Sequence, residues 1–306
     1  MKRIFIDGGS GTVGLGIRER LTDAAWARLE TLPDSLRKDP GAKRELLSQV
    51  DAVVLCLPDA AAREAVSMID ELGKAGPRVL DASTAHRVAP GWVYGFRELS
   101  PEQPRSIRIA RRVTNPGCYP TGAIALLRPL VDAGLLPRSH PLSINAVSGY
   151  SGGGRSMIED FQAGRAPAFQ LYALGLDHKH LPEMRHYSGL DREPLFVPSV
   201  GNFYQGMLVS IPLHLDGLPG GVTAQRLRDA LVERYAGSEW VAVQPAGADV
   251  GGGLSPEGIN GSNRLELFVH AHERRRHALL VARLDNLGKG ASGAAAQNLE
   301  LMLADG

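Results

Sequence analysis

"RIFIDGGSGTVGLGIRERL", residues 3–21, decides the fold. A short apolar run reads as a strand, a glycine cluster interrupts it, and the spacing after it is helical. A strand that passes through a glycine-rich turn into a helix is the opening of a βαβ unit. Gly9-x-Gly11-x-x-Gly14 fits the dinucleotide fingerprint in that context. Glycines permit the tight turn and close backbone approach, and the helix start offers N–H groups to a pyrophosphate. The expected cofactor contacts are therefore Gly9, Ser10, Gly11, Thr12, Val13 and Gly14.

The pattern continues outward. "ARLETL", "VDAVVLCLP", "RVLDAS" and "RRVTN" read as further strands, with the helix "DAAAREAVSMIDEL" between the second and third. Near-continuous apolar strands alternating with helices predict a parallel sheet covered on both faces. "PTGAIALLRPLVDAG" is helical, and then the character changes. "PLSINAVSGY" and "MLVSIPLHL" read as longer strands, and "NRLELFVHAHE" with "HALLVARLDN" as a hairpin turning at Arg274–Arg276. One helix, "TAQRLRDALVERYA", interrupts them. The fold class is α/β: a Rossmann-type parallel-sheet domain plus an α+β domain with a mostly antiparallel sheet, a candidate dimer surface.

Composition bounds the function. The chain has 306 residues, enough for about two domains, and a net charge of +1. That balance leaves no global footprint for nucleic acid or an anionic membrane. No run approaches the roughly 18 apolar residues of a membrane helix. Asp7 and its glycines interrupt any signal-peptide apolar region. Two cysteines of different character argue against a disulfide framework and for a reducing cytoplasm.

Glu30 lies where an acid would hold the ribose 2′-hydroxyl of NAD. Arg37 and Lys38 follow at once, in "SLRKD", and would grip the 2′-phosphate of NADP instead. A solvated charged loop is the third reading, and the balance tips to NADP.

In "TNPGCYPTGA", residues 114–123, Cys118 sits between two prolines at a helix start. Helix N-terminal N–H groups favour a thiolate, so Cys118 reads as a nucleophile, whereas Cys56 in "AVVLCLP" reads as packing. "DHKHLPE" supplies His178 and His180 as base candidates. The pair lacks the further ligands of a zinc site, so no metal is expected. Residues two apart in an extended segment point to opposite sides. That favours His180 as the base, oriented by Glu183, with His178 on substrate or solvent. His270 and His272 read as ordinary strand surface. "AVSGYSGGGR", residues 146–155, reads either as a phosphate- or carboxylate-binding loop, through Ser148, Gly149 and Arg155, or as a plain flexible loop.

With these residues in place, the sequence resembles the N-acetyl-gamma-glutamyl-phosphate reductase family, in its short branch. "TNPGCYPTGA" resembles that family's active-site signature. "GGSGTVG", "LCLPD", "DASTAHR", "AVSGYSGGGR", "HKHLPE" and "GKGASGAAAQN" extend the likeness in order along essentially the whole chain. The resemblance implies an NADP-binding Rossmann domain over 1–117 and 285–306, with a catalytic and dimerisation domain over 118–284. It implies Cys118 as nucleophile and His180 with His178 as acid/base. Further cofactor contacts are expected at Pro58, Ser83, Gly288 and Gly290, and substrate contacts at Asn115, Ser148, Gly149, Arg155 and Glu183. The expected activity is NADPH-dependent reduction of an acyl phosphate through a cysteine thioester, in a cytoplasmic homodimer or homotetramer. The alternatives are a sibling aspartate-semialdehyde dehydrogenase, a cysteine hydrolase, or a non-catalytic dinucleotide sensor.

Overall fold

The computed structural model describes residues 1–304 except Lys38 and Val250. The chain forms two compact units, Met1–Pro116 with Ala291–Gly306, and Gly117–Gly290.

The first unit opens with β1 (Lys2–Asp7), α1 (Thr12–Thr22), β2 (Ala27–Glu30), α2 (Pro40–Leu47), β3 (Ala52–Leu55) and α3 (Asp59–Glu71). It continues through β4 (Arg78–Asp81), β5 (Val93–Tyr94), α4 (Gln103–Ile109) and β6 (Arg112–Thr114). The strands lie in the order β2-β1-β3-β4-β6-β5, all parallel. Alternate residues go to opposite faces, which explains the unbroken apolar runs. Ile4, Ile6, Ala52 and Val54 pack in one core with Ile17 and Leu21 of α1. Phe5, Val53 and Leu55 pack in the other with Ala62, Val66 and Ile69 of α3. The strand order reverses between β1 and β3, the point where open α/β sheets bind ligands beyond the strand ends.

The second unit contains α5 (Cys118–Asp132), β7 (Ser143–Gly149), α6 (Gly154–Gln162), β8 (Phe169–Leu171) and α7 (Leu181–Ser188). Then come β9 (Leu195–Gly201), β10 (Met207–His214), α8 (Ala224–Arg234), β11 (Val241–Val243), β12 (Leu265–His272) and β13 (His277–Leu284). Its sheet runs β11-β12-β13-β10-β7-β9-β8. β11 pairs β12 and β7 pairs β9 in parallel; the other neighbours are antiparallel. α5 lies over β10 and β13, and Gly122 permits the approach: a Cβ there would stand 3.0 Å from Val209. The last helix, α9 (Gly293–Leu303), belongs to the first unit, where Leu299 and Met302 complete the core that holds Ile4.

Three readings of the sequence change. The second unit holds α6 and α7 as well as the expected helix, both too short and too polar for periodicity to reveal. Gly154 and Arg155 open α6, so the glycine-rich stretch is not all loop. Residues 285–290 group with the second unit because Asp285 accepts from Gly261 N–H and Asn286 accepts from Gly206 N–H.

Candidate active site

The first unit builds a nucleotide turn at the end of β1. Gly8 has φ +82°, and a Cβ there would overlap the carbonyl oxygen of Cys56. A Cβ on Gly14 would come within 2.7 Å of Gly9 Cα. Gly9 has ordinary backbone geometry, and its tightest neighbour is the mobile end of Arg18 at 3.2 Å. The obligatory glycines are therefore Gly8 and Gly14, with Gly11 as the N-cap of α1. Ser10 lies within the turn, and Thr12, Val13 and Gly14 form the first turn of the helix. A turn that only glycine fits, leading into a helix start, is a cradle suited to a dinucleotide pyrophosphate.

Two further expected contacts lie at the same edge of this sheet. Pro58 caps α3 just beyond β3. Ser83, after β4, donates from N and Oγ to Asp81 at 2.9 and 2.8 Å. Asp81 also meets Nδ1 of His86 at 2.6 Å, and His86 stacks on Trp92. Glu30 accepts from Arg3 at 2.9 Å and lies 3.3 Å from Arg28, so its charge is already matched. Arg37 is exposed and pairs with Asp34 at 2.8 Å, and Lys38 lies outside the described residues. Lys43 of α2 reaches Asp7, directly before the glycine turn, at 2.7 Å. Nothing in the local pattern around Lys43 signals that reach. Asn115 is 2 % exposed, and its amide spans Ala291 O and Asn298 within this unit.

The second unit builds the thiol. Gly117 is the N-cap of α5, and Cys118 is its first residue. Cys118 is partly exposed while Gly117, Tyr119 and Pro120 are buried. The buried carboxylate of Glu183 accepts the Gly117 N–H at 2.8 Å. Tyr172 donates its hydroxyl to that of Tyr119 at 2.8 Å, and Tyr119 donates to Ser199 O. Burial pushes both phenols up, and charge on an ionised Cys118 would add to the rise in each. Both phenols are therefore neutral, and their protons are held in a chain that runs from Tyr172 through Tyr119 to Ser199 O. The contrast is Cys56, where burial and then the carboxylates of Asp81 and Asp7 push the thiol up to about 12.

His178 and His180 lie on the same side, against the expectation from strand alternation. Their rings are 4.7 Å apart, and each lies 6.1 Å from the Tyr119 ring. The segment is not extended at this point: His180 has φ −90°, ψ −7° and caps α7, and Leu181 N–H bonds His178 O. Phe196 backs the cluster at 5.1 Å from both Tyr119 and His178.

Ser148 and Gly149 end β7. Ser148 is buried, and its hydroxyl donates to Gly149 O at 3.0 Å. A side chain on Gly149 would strike Tyr204 O, 2.5 Å away. Arg155 is exposed in the first turn of α6. Gly288 abuts Ser262 O, and a Cβ on Gly290 would lie 2.8 Å from that of Cys118. Tyr119 and Tyr172 are the residues that sequence reasoning missed. The only signal for Tyr172 was a lone tyrosine six positions before His178 in "YALGLDH". This unit thus places a partly exposed thiol, two imidazoles and two neutral phenols together, a set suited to covalent acyl chemistry.

The family "Semialdehyde dehydrogenase, NAD binding domain" matches residues 28–107, and "Semialdehyde dehydrogenase, dimerisation domain" matches 118–286. An N-acetyl-gamma-glutamyl-phosphate reductase of Burkholderia cenocepacia is 52% identical over 305 residues, covering 98% of this chain and 96% of that one. N-acetyl-gamma-glutamyl-phosphate reductase 2 of Pseudomonas putida is 52% identical over 304 residues, with the same coverage. Among solved structures, aspartate semialdehyde dehydrogenase from Francisella tularensis shares the fold, with a TM-score of 0.73 at 13% identity over 98% of this chain and 99% of that one. Aspartate semialdehyde dehydrogenase II from Vibrio cholerae gives 0.72 at 17%, over 100% and 99%. The chain belongs to the N-acetyl-gamma-glutamyl-phosphate reductase family.

Proposed function

We propose that the chain reduces N-acetyl-gamma-glutamyl phosphate to N-acetylglutamate semialdehyde with NADPH, releasing phosphate. The observation that carries this reading is Cys118 at the start of α5, with His178, His180 and Tyr172 gathered around the ring of its neighbour Tyr119. The Cys118 thiolate attacks the acyl carbon, and the acyl–phosphate bond breaks as phosphate leaves with its electron pair. A thioester remains, which keeps the carbonyl electrophilic while sulfur stays a good leaving group. The dinucleotide, when bound, supplies the hydride. Collapse of the resulting thiohemiacetal returns the thiolate and frees the aldehyde, with His180 moving the proton and His178 beside it.

Residues Gly8–Gly14, Pro58 and Ser83 are the groups that would hold the dinucleotide, and Arg37 with Lys38 those that favour a 2′-phosphate. Asn115, Ser148, Gly149 and Arg155 remain the candidates for substrate contact, and Gly288 and Gly290 for the cofactor. The open face of the second unit's sheet is the surface we assign to a second copy of the chain. Phe169, Leu171 and Leu279 are 56%, 49% and 38% exposed there, beside a cavity of about 880 Å³. Among the described residues no helix is long and apolar enough to cross a membrane.

The test is NADP⁺ reduction followed spectrophotometrically with N-acetylglutamate semialdehyde and phosphate, beside aspartate semialdehyde and phosphate. Turnover of the first at a kcat/KM well above that of the second is expected. The reverse preference would move the chain to the sibling activity, and no turnover of either would overturn the reading.

A further inference from the structure

The α5 N-terminus and the α7 N-terminus meet at one carboxylate. Glu183 is the third residue of α7, where a helix start favours negative charge. In a capping box, a glutamate at this position reaches back to its own N-cap N–H. Here the His180 N–H is taken by Nδ1 of His178 at 3.1 Å. Glu183 instead reaches across to α5 and accepts the Gly117 N–H at 2.8 Å. Glu183 is 1 % exposed, and its charge is felt by Tyr187 one turn on, whose phenol is pushed up first by burial and then by that carboxylate. Burying a carboxylate is costly unless hydrogen bonds hold it. The turn it holds is the one that presents the thiol, because Gly117 directly precedes Cys118.

We infer that Glu183 is a positioning residue for the Cys118 turn, acting through the Gly117 N–H and not on substrate. This rests on the reading of Cys118 as the nucleophile. Positions 120 and 121 of α5 offer this carboxylate nothing. Thr121 N–H bonds Gly117 O within the helix, and Pro120 has no N–H to offer. A bond held at the N-cap N–H constrains the backbone directly before Cys118. A like charge held beside the residue before Cys118 would also oppose ionisation of the thiol, and that is the part of the inference the pH profile reads.

Glu183→Gln keeps an oxygen acceptor and removes the charge; Glu183→Ala removes both. Each is tested by steady-state kinetics and by the pH dependence of Cys118 alkylation with iodoacetamide. Losing the acceptor leaves Gly117 N–H buried without a partner, so Glu183→Ala should lower kcat about 10- to 100-fold. KM should stay within about twofold, and Glu183→Gln should recover most of the kcat loss. In Glu183→Gln the alkylation midpoint should fall by roughly one pH unit, as loss of a nearby like charge requires. A purely structural role would leave that midpoint in place. A large rise in KM with kcat intact, or an unmoved midpoint, overturns the inference. Cys118→Ser run in parallel separates the two claims. An active serine variant removes the nucleophile reading itself, while an inactive one with an unmoved Glu183→Gln midpoint removes only the clamp.

Discussion

Nδ1 of His178 accepts the backbone N–H of His180 at 3.1 Å. A neutral His178 therefore carries its proton on Nε2, and protonating Nδ1 would break that bond. His178 is set as a donor, which leaves His180 as the candidate base. His180→Ala should lower kcat by about 10²–10⁴-fold and abolish the pH–rate limb near the histidine pKa. His178→Ala should act mainly on KM. Loss of the limb in His178→Ala alone would exchange the roles.

The two thiols should differ in reactivity. Cys118 is partly exposed at a helix start, whereas the Cys56 thiol is pushed up to about 12 and is almost wholly protonated at neutral pH. Iodoacetamide should label Cys118 first by peptide mass mapping, and substrate should protect it. Cys118→Ser should bind dinucleotide normally and lose almost all turnover. Equal labelling of both cysteines would contradict the assignment.

The glycine turn gives a sharp pair of variants. At Gly8, φ +82° and the Cys56 carbonyl both exclude a side chain. The left-handed backbone alone costs a non-glycine residue roughly 1–2 kcal/mol. Gly8→Ala should lower the melting temperature and remove dinucleotide binding in a fluorescence titration. Gly9→Ala meets the end of Arg18 at 3.2 Å and Ile6 O at 3.3 Å, contacts relieved by small shifts, and should cost far less stability than Gly8→Ala. Wild-type binding by Gly8→Ala would show that the turn tolerates a Cβ.

Arg37 is at the surface, and its ion pair is with Asp34, which is itself well exposed, so the guanidinium can turn to a phosphate. Replacing Arg37 and Lys38 with Ala should weaken NADPH far more than NADH, by roughly 1.5–3 kcal/mol for each charge-assisted hydrogen bond removed. An equal effect on both cofactors would place the 2′-phosphate elsewhere.

Asp132, at the end of α5, ties this helix to α8. Burial raises its pKa, but hydrogen bonds from Arg234 and Arg128 outweigh that and hold it below its usual 3.8. A depressed folded pKa gives stability that is present above the unfolded value and lost as pH falls through the folded one. Acid unfolding below about pH 4 should therefore be less steep in Asp132→Asn. Identical acid limbs by circular dichroism would show that solvent screens the pair.

Local periodicity determined much of this protein. Continuous apolar runs interrupted by glycine and helical spacing are short-range signals, and they suffice for the parallel sheet, the nucleotide turn and a cysteine at a helix start. The rest depends on contacts that local pattern does not encode. Gly8 is obligatory because β3 brings the Cys56 carbonyl against it, a fact of sheet pairing. The two histidines share one side because the chain turns into α7 at His180, where an extended reading had separated them. Tyr172 reaches Tyr119 across 53 residues and Glu183 reaches Gly117 across 66. Those partners are chosen by how α7, β8 and β9 pack around the start of α5, and packing is decided by the whole core at once.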